Sequence, residues 1–156
     1  MIEIAPAEPV DVDVEFDEYV PVTVTWPEAS NFLASPVYVR CVQEHRLLEL
    51  KFSPSTSNLV ELVLVNSPGL QRQEGTLLSN VRDAPVNARW TGKETGDQFD
   101  HLDVLAYKDR LVMIFTTEPI DAWTGRGPVG FGTVASGALG ALSVRWSPAE
   151  QEVVLG

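Results

Sequence analysis

Apolar and polar residues alternate with a period of two along the first part of the chain. Between residues 10 and 16, every even position carries Val or Phe and every odd position carries Asp or Glu. Residues 20–26 repeat the alternation with three valines and a tryptophan. This pattern is typical of strands that bury one face and expose the other. Pro21 lies in the second run, and because proline cannot donate to a strand ladder, it indicates an edge or a bulge.

Short apolar runs of this kind recur along the whole chain, separated by turn-forming residues. We expect strands at residues 10–16, 20–26, 37–43, 46–52, 59–66, 86–91, 102–107, 110–117, 129–134, 139–146 and 151–155. Residues 44–45 predict a hairpin turn, and one or two helical turns fit between Pro27 and Pro36. A short helix also fits residues 77–82. About ten strands joined by short links predict a single all-β domain over residues 1–156, either an antiparallel β-sandwich or a β-barrel.

Residues 127–144 form an uncharged, glycine-rich segment that allows three interpretations. A membrane span needs about 20 mostly apolar residues, and only a third of these residues are large and apolar. A phosphate loop needs glycines between a strand and a helix, whereas Gly130 and Gly132 are followed by strand-like residues. We therefore expect a bent two-stranded hairpin with a turn at residues 136–137 and a bulge at Gly140. In the functional version of this interpretation, the glycines leave room for a ligand inside a barrel.

The charge of the chain is strongly acidic and unevenly placed. The formal net charge is −11, and residues 1–39 carry eight acidic residues and no Lys or Arg. An acidic surface repels nucleic acid and anionic lipid and attracts basic surfaces, so we expect neither nucleic acid nor a membrane as a partner. The N-terminus lacks the basic and apolar regions of a signal peptide, and Cys41 is the one cysteine. Both features lead us to expect a cytoplasmic protein.

Few residues offer catalytic or metal-binding chemistry. One loop contains four candidate ligands for a divalent cation: Asp97, Asp100, His101 and Asp103. Their spacing matches no defined metal loop. Cys41 and His45 stand four residues apart, but two histidines and one cysteine are too few for a structural zinc site, and the apolar strand around Cys41 predicts a buried thiol. We therefore expect no catalytic residue, no metal and no cofactor.

The acidic strand gives the more specific candidate, a surface that binds a partner protein. The candidate residues are Asp11, Asp13, Glu15, Asp17, Glu18, Tyr19 and Trp123. Three acidic side chains on one strand face are costly unless they are solvated or face cations. They are interpreted either as protection of a sheet edge against aggregation or as an interface for a Lys/Arg-rich partner. Tyr19 and Trp123 would be the aromatic anchors of that interface if Trp123 stands exposed in a loop; the alternative is that Trp123 packs onto the end of the sheet.

These observations favour a non-enzymatic, acidic protein-binding module. It would dock onto or neutralise a basic protein partner, as an immunity or antitoxin-like inhibitor does against a basic bacterial toxin. Three alternatives stay open: a small-ligand-binding β-barrel, a structural subunit of a larger assembly, and an enzyme that uses the loop around His101.

Overall fold

The computed structural model describes residues 1–30, 34–65, 70–75, 81–92 and 98–156, and strands dominate these ranges. The strands are β1 (Ile2–Pro6), β2 (Asp13–Phe16), β3 (Val22–Thr25), β4 (Val37–Gln43), β5 (Arg46–Phe52), β6 (Leu59–Val65), β7 (Gln71–Arg72), β8 (Val81–Arg82), β9 (Val86–Trp90), β10 (Gln98–Phe99), β11 (Asp103–Ala106), β12 (Arg110–Ile114), β13 (Ala122–Thr124), β14 (Val129–Thr133) and β15 (Leu139–Arg145). A 3-10 turn spans Pro27–Ser30, and a helix, α1, spans Pro148–Leu155. Within the described ranges no helix has the length and apolar character needed to cross a membrane. The all-β fold predicted from the alternation is confirmed.

The strands form two large sheets and one small ribbon. One sheet has the order β10-β4-β5-β6-β3-β2, and the other has the order β7-β11-β12-β15-β14-β13-β8. The ribbon pairs β1 with β9 in antiparallel fashion. It reaches both sheets, because Glu3 bridges to Ala138 just before β15, and Arg89 bridges to Asn58 just before β6. The arrangement is a β-sandwich whose two layers are linked by the ribbon.

The core lies between the two sheets, where the inward residues of both layers meet. Leu50 and Leu62 come from the six-stranded sheet, and Met113 and Leu142 come from the seven-stranded sheet. All four are completely buried and belong to one apolar cluster. Full burial of a side chain of this size stabilises the fold by roughly 1.5–3 kcal/mol. Burial of the apolar side chains that the period-two pattern places on the inward faces is therefore the main driving force for packing the two sheets together.

Strands β2 to β6 follow the prediction, although β2 begins at Asp13 rather than at residue 10, and β1 was not predicted. β4 and β5 pair from Val37 opposite Phe52 to Gln43 opposite Arg46, which leaves Glu44 and His45 as the turn. The run at 59–66 becomes β6, an inner strand between β5 and β3. The expectation of an edge or bulge at Pro21 is wrong. This residue lies just before β3, also an inner strand, where its missing N–H leaves no gap in the ladder.

The glycine-rich segment forms the expected hairpin of β14 and β15. Gly137 adopts a φ of +90°, which glycine tolerates best, and its amide donates to the Val134 carbonyl at 2.9 Å. Gly132 pairs with Ala141, and the next residue, Thr133, pairs with Leu139. Gly140 is therefore the extra residue of a β-bulge, as predicted.

One local prediction was wrong, and another lies partly outside the described residues. The strand expected at 151–155 is part of α1 instead. Ser147 caps this helix: its hydroxyl accepts from the Glu150 amide, and the Glu150 carboxylate accepts from the Ser147 amide. This reciprocal capping box, with Pro148 in the first turn, overrides the weak strand pattern that follows. Of the short helix predicted at 77–82, residues 81–82 form β8, and residues 77–80 lie outside the described residues.

Candidate functional site

The acidic strand β2 lies at the edge of the six-stranded sheet, with its carboxylates in solvent. Val14 and Phe16 are half-buried toward the core, whereas Asp13 and Glu15 are exposed. In the ladder, Asp13 lies opposite Thr25 and Glu15 opposite Thr23. The cross-strand neighbours of the two carboxylates are thus neutral, and the negative charge of this face is not compensated within the pair of strands.

The turn after β2 adds the carboxylates of Asp17 and Glu18 to those of the strand and presents the aromatic ring of Tyr19. One carboxylate oxygen of Asp17 accepts from the amide of Tyr19 at 2.8 Å and from the amide of Val20 at 3.3 Å, which fixes the turn. The Tyr19 side chain is 77% exposed. The pKa of its hydroxyl is raised, chiefly by a hydrogen bond to Glu18 and further by the charge of Asp17. Tyr19 therefore offers a protonated hydroxyl and a solvent-facing ring directly beside two carboxylates.

The inward face of β2 packs against the core through Phe16. The ring centroids of Phe16 and Trp146 are 6.0 Å apart. Trp146 is 4% exposed, and its indole N–H donates to the Tyr107 carbonyl at 2.9 Å. This contact joins the edge strand β2 to Trp146, which directly follows β15 of the opposite sheet.

A cleft of about 620 Å³ adjoins the acidic surface. It is lined by the segments 6–12, 26–28, 85–87 and 126–129, together with Asn58 and Phe131. Its buried apolar lining comes from Trp26, Val129 and Phe131. Among its charged lining residues are three carboxylates and one guanidinium, those of Glu8, Asp11, Glu28 and Arg126. We use the name acidic surface for Asp11, Asp13, Glu15, Asp17, Glu18 and Tyr19; Asp11 belongs to both this surface and the cleft.

The charges around the cleft are partly held in place by neighbouring groups. The Thr56 hydroxyl donates to a carboxylate oxygen of Glu28. Arg126 is paired with Asp83, with 2.9 Å between Nε and Oδ1. Three carboxylates and one guanidinium line the cleft, so the carboxylates dominate its electrostatics. A concave apolar site with an acidic rim suits a cationic group carried on an apolar stem.

Trp123 does not belong to this site, and the prediction that it stands exposed in a loop is wrong. It lies in β13 and is 4% exposed. Its ring covers the outer face of the seven-stranded sheet, above two glycines of β14. A side chain added at Gly132 would come within 3.1 Å of Trp123 and of Ile120. The two glycines of β14 therefore make room for side chains of the protein itself.

We call the group around this tryptophan the outer cluster. Val112, Trp123 and Ala141 form its buried centre, and Val81, Leu105, Tyr107, Ile114 and Ile120 pack around it. The sequence around Trp123 did not show which residues would bury it, because these residues lie on other strands.

The structure brings together two of the residues considered for catalysis or metal binding, His101 and Asp103. His101 Nε2 lies 2.9 Å from Asp103 Oδ2, and Asp100 is exposed, whereas Asp97 lies outside the described residues. Within the part of the chain that the structure describes, no group of three or more His, Cys, Asp or Glu side chains could hold a metal ion. Cys41 is completely buried, as predicted, and burial raises the pKa of its thiol. A thiol that resists ionisation is a poor nucleophile.

No protein-family model and no curated protein matches this chain. A function therefore has to be inferred from the residues and their geometry.

Sequence reasoning found the acidic surface but missed the cleft beside it. The acidic excess in residues 1–39 was the signal for Asp11, Asp13 and Glu15. The cleft joins that segment to residues 85–87, to residues 126–129 and to Phe131. The glycine-rich segment 127–144 suggested room for a ligand inside a barrel, but no local pattern indicated that it would lie beside the acidic strand. Formation of the cleft depends on the meeting of the two sheets, so no window of sequence contains it.

Proposed function

We propose that this protein is a non-enzymatic binding module that docks onto a basic partner protein through the acidic surface and the adjoining cleft. One observation carries the proposal: exposed carboxylates run along an edge strand, from Asp11 at the acidic rim of a concave apolar site to the turn that presents Tyr19 after the other end of the strand. The same description fits an inhibitor that neutralises a basic toxin, as immunity and antitoxin proteins do.

The two parts of the surface have different physical roles in this proposal. The carboxylates of β2 and its turn lie in solvent, where they speed up encounter with a positive surface more than they add to final affinity. The cleft and Tyr19 supply the burial that slows dissociation, since a Lys or Arg side chain can lay its apolar stem against Trp26 and place its charge near Asp11 and Glu28.

The first experiment is capture of the partner with matched charge variants. The purified protein is used as bait in a lysate of its native source, next to a variant with Asp11→Asn, Asp13→Asn and Glu15→Gln. A control variant with Glu74→Gln, Glu118→Gln and Asp121→Asn loses the same charge at exposed sites away from the acidic surface. We expect a basic protein to be retained in stoichiometric amount by the native and control baits at low salt, and to be lost at high salt.

Association kinetics with the captured protein then test the surface itself. Electrostatic steering changes association rates by about 10-fold or more, so we expect the β2 variant to associate roughly tenfold more slowly at low salt, with a weaker salt dependence than the control. Equal rates for the two variants would show that the acidic surface is not the interface.

The cleft also supports a second candidate function, the binding of a small molecule. Small-molecule sites are concave, largely apolar and about 300–1,000 Å³ in volume, and the cleft of about 620 Å³ lies in this range. Native mass spectrometry of protein purified from its natural source would detect such a ligand. A bound small molecule that is lost on Trp26→Ala, together with no captured protein, would favour this second function.

A further inference from the structure

A second, smaller concavity lies near the cleft and has the opposite charge. Its volume is about 280 Å³. It is lined by Val81, Asp83, Arg110, Gly125, Arg126, Gly127, Val129 and Arg145. Three guanidinium groups thus meet one carboxylate in a protein whose net charge is −11. We call this concavity the arginine pocket.

Arg110 is the buried member of the arginine pocket. Its side chain is 9% exposed, and its Nη1 donates to the Ser143 hydroxyl at 3.1 Å. Room for this arrangement comes from Gly130, since a side chain added there would collide with the Ser143 hydroxyl and lie 3.4 Å from Arg110 Nη1. The strand pairing therefore holds a guanidinium group at the base of a concave site.

The charge on Arg110 is only partly compensated by the groups around it. Arg110 lies directly opposite Arg145 in the ladder of β12 and β15, and like charges in that relation are destabilising. The Asp109 carboxylate forms an ion pair with Arg110, with 3.8 Å between Oδ2 and Nε. The pKa of Arg110 is nevertheless lowered, mainly by burial and then by the charge of Arg145, against the opposing effect of Asp109. An anion placed between the two arginines would relieve both effects.

Arg126 is the third arginine and comes from the loop before β14. Arg126 forms an ion pair with Asp83, which also lines the pocket. The pair is solvent-accessible, since about half of the Arg126 side chain is exposed. An exposed pair of this kind is worth little, so Arg126 can turn toward an incoming anion at low cost.

We propose that the arginine pocket binds a small oxyanion, the phosphate or carboxylate group of a small-molecule ligand. Guanidinium groups present planar pairs of donors that match both of these groups. The volume of about 280 Å³ limits the site to a small ligand or to the charged end of a larger one. This inference does not rest on the proposed docking function. Arg126, Gly127 and Val129 line both concavities, but Arg110 and Arg145 line the arginine pocket and not the cleft.

Titration of the native protein with inorganic phosphate, citrate and acetate tests the inference. The readout is the ¹H–¹⁵N spectrum at constant ionic strength, with chloride as the reference anion. We expect saturable shifts for at least one of the three anions, centred on the amides of Gly125, Gly127 and Ser143. Phosphate and acetate distinguish a preference for a tetrahedral from a planar group. Shifts that spread over the surface, or that fail to saturate for all three anions, would overturn the proposal.

Two variants and a control make the assignment specific. Arg145→Gln changes an exposed residue and should weaken binding about tenfold, equivalent to about 1.4 kcal/mol. Arg110→Lys keeps the charge but loses the planar fork and should weaken binding as well. Arg89→Gln removes an exposed arginine on the ribbon and should leave the affinity unchanged. If Arg110→Lys fails to fold, the comparison of Arg145→Gln with Arg89→Gln decides, and equal affinities for these two variants would refute the assignment.

Discussion

Replacing Trp123 by alanine tests whether this residue holds the structure together or serves recognition. Its side chain is 4% exposed and forms the centre of the outer cluster. Truncation of a buried tryptophan costs about 3–5 kcal/mol, which is a large part of the roughly 5–15 kcal/mol that stabilises a typical domain. We expect Trp123→Ala to lower the free energy of unfolding by about 3 kcal/mol, the low end of the range, because the outer cluster is small.

The contact between Trp123 and Gly132 makes a sharper test through a double-mutant cycle. A Cβ at position 132 would lie 3.1 Å from Trp123 Cη2, Ile120 Cγ2 and Ala141 Cβ. Gly132→Ala alone should therefore cost about 1–3 kcal/mol through overpacking. In the Trp123→Ala background one of the three crowded contacts is absent, so the same change should cost less, with a coupling of at least about 0.5 kcal/mol.

Urea unfolding followed by far-ultraviolet circular dichroism gives the free energies for this cycle. Tyr19→Ala is the control, since it removes an aromatic ring that is 77% exposed and should leave the urea midpoint unchanged. A cost below about 1 kcal/mol for Trp123→Ala, or strict additivity with Gly132→Ala, would refute this account of the outer cluster.

Two further predictions concern Cys41 and the cap of α1. Burial raises the pKa of Cys41 in the folded state, whereas the thiol of the unfolded chain keeps its ordinary pKa of 9.0. The free energy of unfolding is therefore unaffected by this thiol below pH 9 and falls as the pH rises above 9, because the unfolded chain then ionises more readily than the folded one. Between pH 7 and 10 the free energy of unfolding should fall more steeply above pH 9 for the native protein than for Cys41→Ala. A thiol reagent should label Cys41 only in urea. Rapid labelling without denaturant would contradict the burial of this thiol. Ser147→Ala removes the acceptor for the Glu150 amide and should cost about 1 kcal/mol. Hydrogen exchange should quicken at the first turn of α1, whereas unchanged exchange there would show that the capping box is unimportant.

Much of the fold follows from the sequence because a period of two assigns each strand residue to a face. In β2 the alternation alone places Asp13 and Glu15 in solvent and Val14 and Phe16 toward the core. The hairpin of β4 and β5 is likewise local, since the turn at residues 44–45 sets its register. The bulge at Gly140 could be predicted for the same reason, as the alternation slips by one residue there.

The features that only the tertiary structure decided depend on residues far apart in the chain. Trp123 is buried because two glycines on the neighbouring strand β14 leave space for its ring. Arg110 and Arg145 face each other because the register of β12 and β15 puts them there, 35 positions apart in sequence numbering. The cleft forms where four separate segments meet at the sandwich. Local patterns fix which face a side chain occupies, but the partner on the other side of that face is set by how the sheets pair and pack.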